Sequence, residues 1–277
     1  MDAVAGFRVG DVELTRVPYF DVALDAAAVD LTAEQIQSVE WAMPSWASAD
    51  GRVLIGQAVW VVESQGLVIV VDPCGASDPF LRSGPEAVGH QEAVLDAMRA
   101  AGFPPERVDT VVLSHLDGIG MAALVAPDGR WVPAFPKARI VMMSAELEFL
   151  ADGGPAQGLD ALNALIAQGV VDGVHDGYQL TDEVSLQLTG GHTPGHAVVR
   201  VQSGGARATF LGHLALSPLN LFVARCAPAD ADAERAGDLL DALVAEAAAD
   251  DALIVGSLWP FPGAGHVSGD RVVAALD

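Results

Sequence analysis

The chain has 277 residues, of which 51% are hydrophobic, and a formal net charge of −23 at pH 7. This length and apolar content suffice for a full hydrophobic core and exclude a disordered or fibrous chain. The negative charge argues against nucleic-acid and anionic-membrane partners, because both need clustered cations.

Other features predict a cytoplasmic protein. The apolar runs are shorter than the roughly 18 residues that can span a bilayer, and the N-terminus lacks the basic and apolar regions of a signal peptide. Two cysteines, Cys74 and Cys226, give no disulfide framework. We therefore expect a reduced, cytoplasmic environment.

The first half of the chain predicts strands that end in polar loops. Alternation of apolar and polar residues over 7–20 indicates a hairpin, and Thr32 is suited to cap a short helix. Ser144 is the predicted cap of another helix, with Glu146 and Glu148 in its first turns. The further elements predicted in this half are strands at 58–63, 67–71, 108–113 and 140–143 and helices at 91–101 and 160–167.

The second half repeats this organisation. Its predicted elements are strands at 184–188, 197–201, 208–211 and 252–256 and a long alanine-rich helix at 231–249. Two similar halves, about 1–180 and 181–277, suggest one domain in which two sheets pack between helical layers. The polar loops at one edge of the sheets would then carry the site.

Short polar motifs follow several of the predicted strands. They are Asp72 with Gly75, Ser-His-Leu-Asp-Gly-Ile-Gly at 114–120, Gly-His-Thr-Pro-Gly-His at 191–196, Leu-Gly-His at 211–213 and Pro-Phe-Pro-Gly-Ala-Gly-His at 260–266. Together with the segment 129–138, they resemble the motifs of the metallo-β-lactamase superfamily, in its lactonase-like and organophosphate-hydrolase-like branch. The resemblance extends from about 41 to 267 and implies an α/β fold, the αββα sandwich with two mixed sheets between helical layers.

The same resemblance implies a metal site that is only half retained. In the superfamily, three histidines bind the first metal, while an aspartate and two histidines bind the second and a carboxylate bridges both. The positions of the first metal and of the bridge keep side chains that can bind a metal, namely His115, Asp117, His192 and His213. The positions of the second metal hold Ile119, Gly120 and Leu258, which cannot. Residues that can bind a metal are thus kept at one metal position and missing at the other. This pattern favours a repurposed centre over a decayed one and argues against a dinuclear centre.

Two interpretations of the retained residues stay open. Three imidazoles and one carboxylate can hold a single zinc or ferrous iron ion. Asp117, however, is shorter than the histidine it replaces, and His213 is longer than the aspartate it replaces. The alternative is a metal-free site in which His115, Asp117, His192 and His213 form a hydrogen-bonded acid–base network.

Other residues in or near these motifs are predicted to have structural or pocket-lining roles. Asp72 is expected to brace the loop at 114–120, and His196 is expected to be structural. The residues predicted to line the pocket are Ile119, Trp46, Leu258 and Trp259.

Three functions are compatible with this sequence. The first is an enzyme that uses His and Asp as acid and base on a small organic substrate, in a cyclisation, dehydration or isomerisation of the kind found in secondary metabolism. The second is a hydrolase of an ester, lactone or thioester with one zinc or iron ion. The third is a catalytically inactive binding protein. The oligomeric state is open, with a homodimer as one option.

Overall fold

The computed structural model describes residues 4–73, 94–116, 122–126, 128–154, 158–225 and 229–275. Within these ranges the strands form two large sheets and one two-stranded ribbon. The strands of the first half are β1 (Ala5–Val9), β2 (Val12–Leu24), β3 (Val53–Ser64), β4 (Leu67–Val71), β5 (Thr110–Val112), β6 (Ala123–Val125), β7 (Trp131–Pro133), β8 (Arg139–Met143) and β9 (Val171–Val174).

The first sheet has seven strands in the order β1-β2-β3-β4-β5-β8-β9, and β6 pairs with β7 in the ribbon. The strands β1 to β4 are antiparallel neighbours, whereas β4, β5, β8 and β9 run parallel to one another. Because the carboxyl ends of parallel strands meet at one edge of a sheet, residues 72–73 after β4 and 113–116 after β5 lie side by side, and Ser114 donates a hydrogen bond to Asp72. This edge carries the described parts of the polar motifs of the first half.

The second sheet is built from the rest of the chain. Its strands are β10 (Val184–Leu188), β11 (Ala197–Ser203), β12 (Ala206–Phe210), β13 (Leu253–Val255), β14 (Ala264–Ser268) and β15 (Arg271–Ala274). They are neighbours in chain order, and β12 with β13 is the parallel pair among them. The change from one sheet to the other falls between Val174 and Val184.

The helices are α1 (Ala33–Gln37), α2, described over 94–100, α3 (Ser144–Ala151), α4 (Leu159–Ala167) and α5 (Ala233–Asp250). Thr32 caps α1 in a reciprocal capping box with Gln35, as predicted. The predicted cap at Ser144 is wrong: Met143, still extended at the end of β8, is the N-cap residue, and Ser144 is already helical. None of the described helices is long and apolar enough to cross a membrane.

Three apolar layers hold these elements together. Between the sheets, Trp60 of β3 meets Phe210 of β12 edge to face, with ring centroids 5.6 Å apart. The outer face of the first sheet is covered by α2, α3 and α4, and that of the second by α5. Alternate residues of β3 serve the two faces of the first sheet, since Val59 and Val61 pack under the helices while Val62 faces the other sheet. The predicted αββα sandwich is confirmed.

Candidate metal centre

Three buried histidines from both halves of the chain come together at one edge of the sandwich. His115 follows β5, His192 lies between β10 and β11, and His213 lies in a 3-10 turn after β12. They are 3%, 4% and 8% exposed, and their possible ligand atoms all lie within 4.8 Å of one another. The ring centroids are 4.8 Å apart for His115 and His192, 4.5 Å for His115 and His213, and 5.5 Å for His192 and His213.

This arrangement fits the coordination of one metal ion. Metal–nitrogen bonds of about 2.0–2.1 Å in a tetrahedral site place the centroids of its imidazole ligands roughly 5 Å apart. The Nε2 atom of His115 is buried and finds no hydrogen-bond partner among the described residues. Such an atom costs about 1–3 kcal/mol if it stays unpaired, and a metal ion would satisfy it. His115 therefore supplies an available nitrogen at the centre.

Burial keeps His115 neutral. Desolvation lowers its pKa well below the usual value of 6.5, and charge on His213, His192 or His196 would lower it further. The other ring nitrogen, Nδ1, lies 3.0 Å from the hydroxyl of Ser114. A neutral imidazole is the form that binds a metal, so burial favours the metal-binding form of His115 near neutral pH.

His192 is held by a carboxylate that the sequence analysis did not identify. Its Nδ1 lies 2.7 Å from Oδ1 of Asp230, and both side chains are buried. Asp230 precedes α5 and is 38 residues away in sequence. Carboxylates commonly orient metal-binding histidines in this way, leaving the other ring nitrogen for the metal.

Glu146 ties the loop of His115 to the loop of His192. This side chain of α3 is 1% exposed, and its Oε1 accepts a hydrogen bond from the backbone nitrogen of Leu116 at 3.1 Å. Its Oε2 accepts from the hydroxyl of Thr193 at 2.6 Å and from the backbone nitrogen of Gly195 at 3.2 Å. A Cβ at position 195 would collide with the backbone of Glu146, so the loop needs glycine there. One carboxylate thus fixes both loops.

Asp72 braces the His115 loop from the other side, as predicted. Its Oδ1 accepts from the backbone nitrogen of Ser114 at 2.7 Å, and its Oδ2 accepts from the hydroxyl of Ser257 at 3.2 Å. Burial raises the pKa of Asp72 above its usual value, while its two serine contacts and charge on His213 oppose that shift.

His196 has the environment of a structural residue. Its Nδ1 lies 2.7 Å from the hydroxyl of Thr189, and that hydroxyl donates to the carbonyl oxygen of His196 at 2.8 Å. Because the hydroxyl has one proton, Nδ1 is the donor to Thr189. Complete burial lowers the pKa of His196 well below its usual value. His196 is not part of the three-histidine group.

The remaining predicted site residues are placed as follows. Asp117 and Ile119 lie outside the described residues. Leu258 is 9% exposed and belongs to the core that covers the outer face of the second sheet. Trp46 and Trp259 pack edge to face in that core, with centroids 5.7 Å apart, and are 1% and 0% exposed. With so little accessible surface, the two indoles are core residues, and their predicted role in lining a pocket finds no support.

Known proteins give the same fold. A family model described as the metallo-beta-lactamase superfamily matches residues 53–257. No curated protein matches the sequence.

Solved structures match over nearly the whole chain. AidC, a dizinc quorum-quenching lactonase solved with a product, is 19% identical over 99% of this chain and 98% of its own, with a TM-score of 0.79. The hydrolase AbOPH of the beta lactamase superfamily is 20% identical over 100% and 99%, with a TM-score of 0.77. A probable metal-dependent hydrolase from Staphylococcus aureus is 12% identical over 97% of each chain, with a TM-score of 0.72. At these identities the similarity is one of fold.

Proposed function

The chain belongs to the metallo-β-lactamase superfamily, as its motifs predicted, and we propose that it is an enzyme with a single zinc or iron ion that acts on a small organic substrate. The ion would be held by His115, His192 and His213. The observation that carries the proposal is the meeting of these three buried imidazoles, with ligand atoms within 4.8 Å, while the second-metal position 258 holds leucine.

We propose hydrolysis of an ester, lactone or thioester as the reaction. A bound ion of this kind polarises a carbonyl group and lowers the pKa of a coordinated water. The residues of the chain hold the site: Asp230 orients His192, and Glu146 fixes the spacing of the two loops. Asp117 stays a proposed fourth ligand. The setting we propose is the cytoplasm, without a nucleic-acid or membrane partner.

A metal-free acid–base enzyme is the second candidate, and the pair of His192 and Asp230 favours it. An imidazole oriented by a buried carboxylate 2.7 Å away is also the arrangement of a general base. Such a site would suit a cyclisation, dehydration or isomerisation. The two candidates differ in whether activity needs a metal.

Metal analysis of the purified protein separates them. We expect about one zinc or iron ion per chain by elemental emission, lost in H192A together with activity on a panel of esters, lactones and thioesters. H175A is the matched control, because His175 is exposed and outside the three-histidine group, and it should keep the ion.

Chelation provides the complementary measurement. Removal of the ion should abolish the hydrolysis, and addition of zinc or ferrous iron should restore it. Full activity of a metal-free protein would support the acid–base candidate instead. Two ions per chain would contradict the single-metal centre, and substrate binding without turnover at any metal content would indicate a binding protein.

A further inference from the structure

We propose that Asp230 is a positioning residue of this centre, which fixes the proton of His192 on Nδ1 and thereby keeps Nε2 available as the metal-binding nitrogen. This inference rests on the proposed metal function, but the hydrogen bond that it concerns can be tested with no metal present. Asp230 lies outside every motif that the sequence resemblance provides.

The hydrogen bond determines which nitrogen carries the proton. Oδ1 of Asp230 and Nδ1 of His192 are 2.7 Å apart, with 0% and 5% of the two side chains exposed. In carboxylate–histidine pairs at metal sites the ring nitrogen donates to the carboxylate, so this geometry assigns the proton to Nδ1. In the neutral ring Nε2 then has its lone pair free. If the proton were on Nε2 instead, the lone pair of Nδ1 would face a lone pair of the Asp230 oxygen in a site without solvent.

The backbone around Asp230 is built to receive the His192 loop. The nitrogen of Ala231 donates to the carbonyl of His192 at 2.9 Å, and the nitrogen of Asp232 donates to the carbonyl of Gly191 at 3.0 Å. A Cβ at Gly191 would lie 2.6 Å from the Cα of Ala236, so the loop packs directly on the first turn of α5. Two backbone bonds therefore set the loop in register with the carboxylate.

The start of α5 fixes this receiving segment in turn. The side chain of Asp232 caps the helix by accepting from the nitrogen of Arg235 at 3.0 Å. The carboxylate of Asp230 is thus anchored by a helix terminus two residues away. Position 232 provides a matched control, because its backbone nitrogen bonds the same loop while its carboxylate caps the helix.

Metal affinity is the first test of Asp230. Zinc competition with a chromophoric chelator should show binding about 10–100-fold weaker in D230N than in wild type, because the neutral amide no longer supports the imidazole as a ligand. D232N should bind within about 3-fold of wild type, since asparagine is also a good N-cap. Thermal unfolding of the metal-free variants checks that D230N is folded. Equal zinc affinity of folded D230N and wild type would overturn the proposal.

The tautomer of His192 is the second test, made on metal-free protein. Nitrogen-15 NMR should show the proton on Nδ1 in wild type and D232N, and a shift towards the Nε2 tautomer in D230A. An unchanged tautomer in D230A would overturn the proposal. If wild type binds no zinc, the single-metal function fails, whereas the NMR result still decides whether Asp230 positions His192.

Discussion

The two sets of positions that the superfamily motifs assign to metal binding, here called the histidine side and the leucine side, differ in the chemistry of their residues. On one side, three imidazoles meet in a buried group supported by carboxylates. On the leucine side, Leu258 packs in an apolar core with Trp46 and Trp259. The motifs also assign Ile119 and Gly120 to this set; both lie outside the described residues, and neither has a side chain that can bind a metal. A buried polar group is costly without a partner, so a buried position that binds no metal is better filled by an apolar side chain.

This difference separates two physical roles. The histidine side is organised by long-range hydrogen bonds, since Glu146 connects two loops and Asp230 orients one ring. The leucine side contributes buried apolar surface. Changes on the histidine side should therefore affect metal binding most, and changes on the leucine side should affect the stability of the fold.

The largest effect on metal binding is expected from H213A. Loss of one of three imidazole ligands should weaken zinc binding by more than about 100-fold, since even the loss of an outer hydrogen-bond partner costs 10–100-fold. Chelator competition measures the change. H266A is the control, because the side chain of His266 is 41% exposed and outside the group. If H213A bound zinc as tightly as H266A, His213 would not be a ligand.

The next effect is expected from E146Q. The amide keeps one acceptor oxygen and turns an NH2 group towards at least one of the three donors of this carboxylate, so the loops of His115 and His192 lose part of their common anchor. We expect unfolding to become easier by about 1–3 kcal/mol and zinc binding to weaken by about 10-fold. Urea unfolding and chelator competition measure the two changes.

E148Q is the control for this substitution, because Glu148 is in the same helix and exposed. Its stability should stay within about 0.5 kcal/mol of wild type. Equal behaviour of the two variants would remove Glu146 from the architecture of the centre.

Changing the leucine side should give the opposite result. L258A removes a largely buried side chain from the core and should destabilise the protein by about 2–4 kcal/mol, with zinc affinity in the folded protein unchanged. L67A is the control, because Leu67 is 37% exposed and its truncation should cost less than about 1 kcal/mol. A loss of zinc in folded L258A would show that the two sides are not separate.

The sequence predicts the parts of the centre that have local signals. His115 and His192 lie in short motifs that follow predicted strands, and His213 lies at a motif position, so their meeting at one edge could be expected from the fold. The helix of Glu146 was predicted as well. In the sequence, however, this first-turn carboxylate indicates a partner of the helix dipole and not a link between two loops.

Contacts between distant segments could not be predicted. Glu146 reaches Gly195 across 49 residues, and Asp230 reaches His192 across 38, with no periodic pattern to indicate either pair. The tryptophans illustrate the same limit. Trp46 and Trp259 lie in proline-flanked loops, which suggested a pocket, yet the fold brings the two rings into edge-to-face contact inside a core.

An equally small effect on metal binding is expected from L258H, which provides one ligand on the leucine side. We expect elemental emission to show about one ion per chain, as in wild type, because a second ion needs several ligands and Ile119 and Gly120 provide none. The imidazole would also be an unpaired polar group in an apolar core, so L258H should be less stable than wild type. A second ion in L258H would mean that the leucine side is an intact site lacking one ligand. Retention of one ion in L258H, with two appearing only when I119D and G120H are added, would mean that a second ion needs ligands at all three positions.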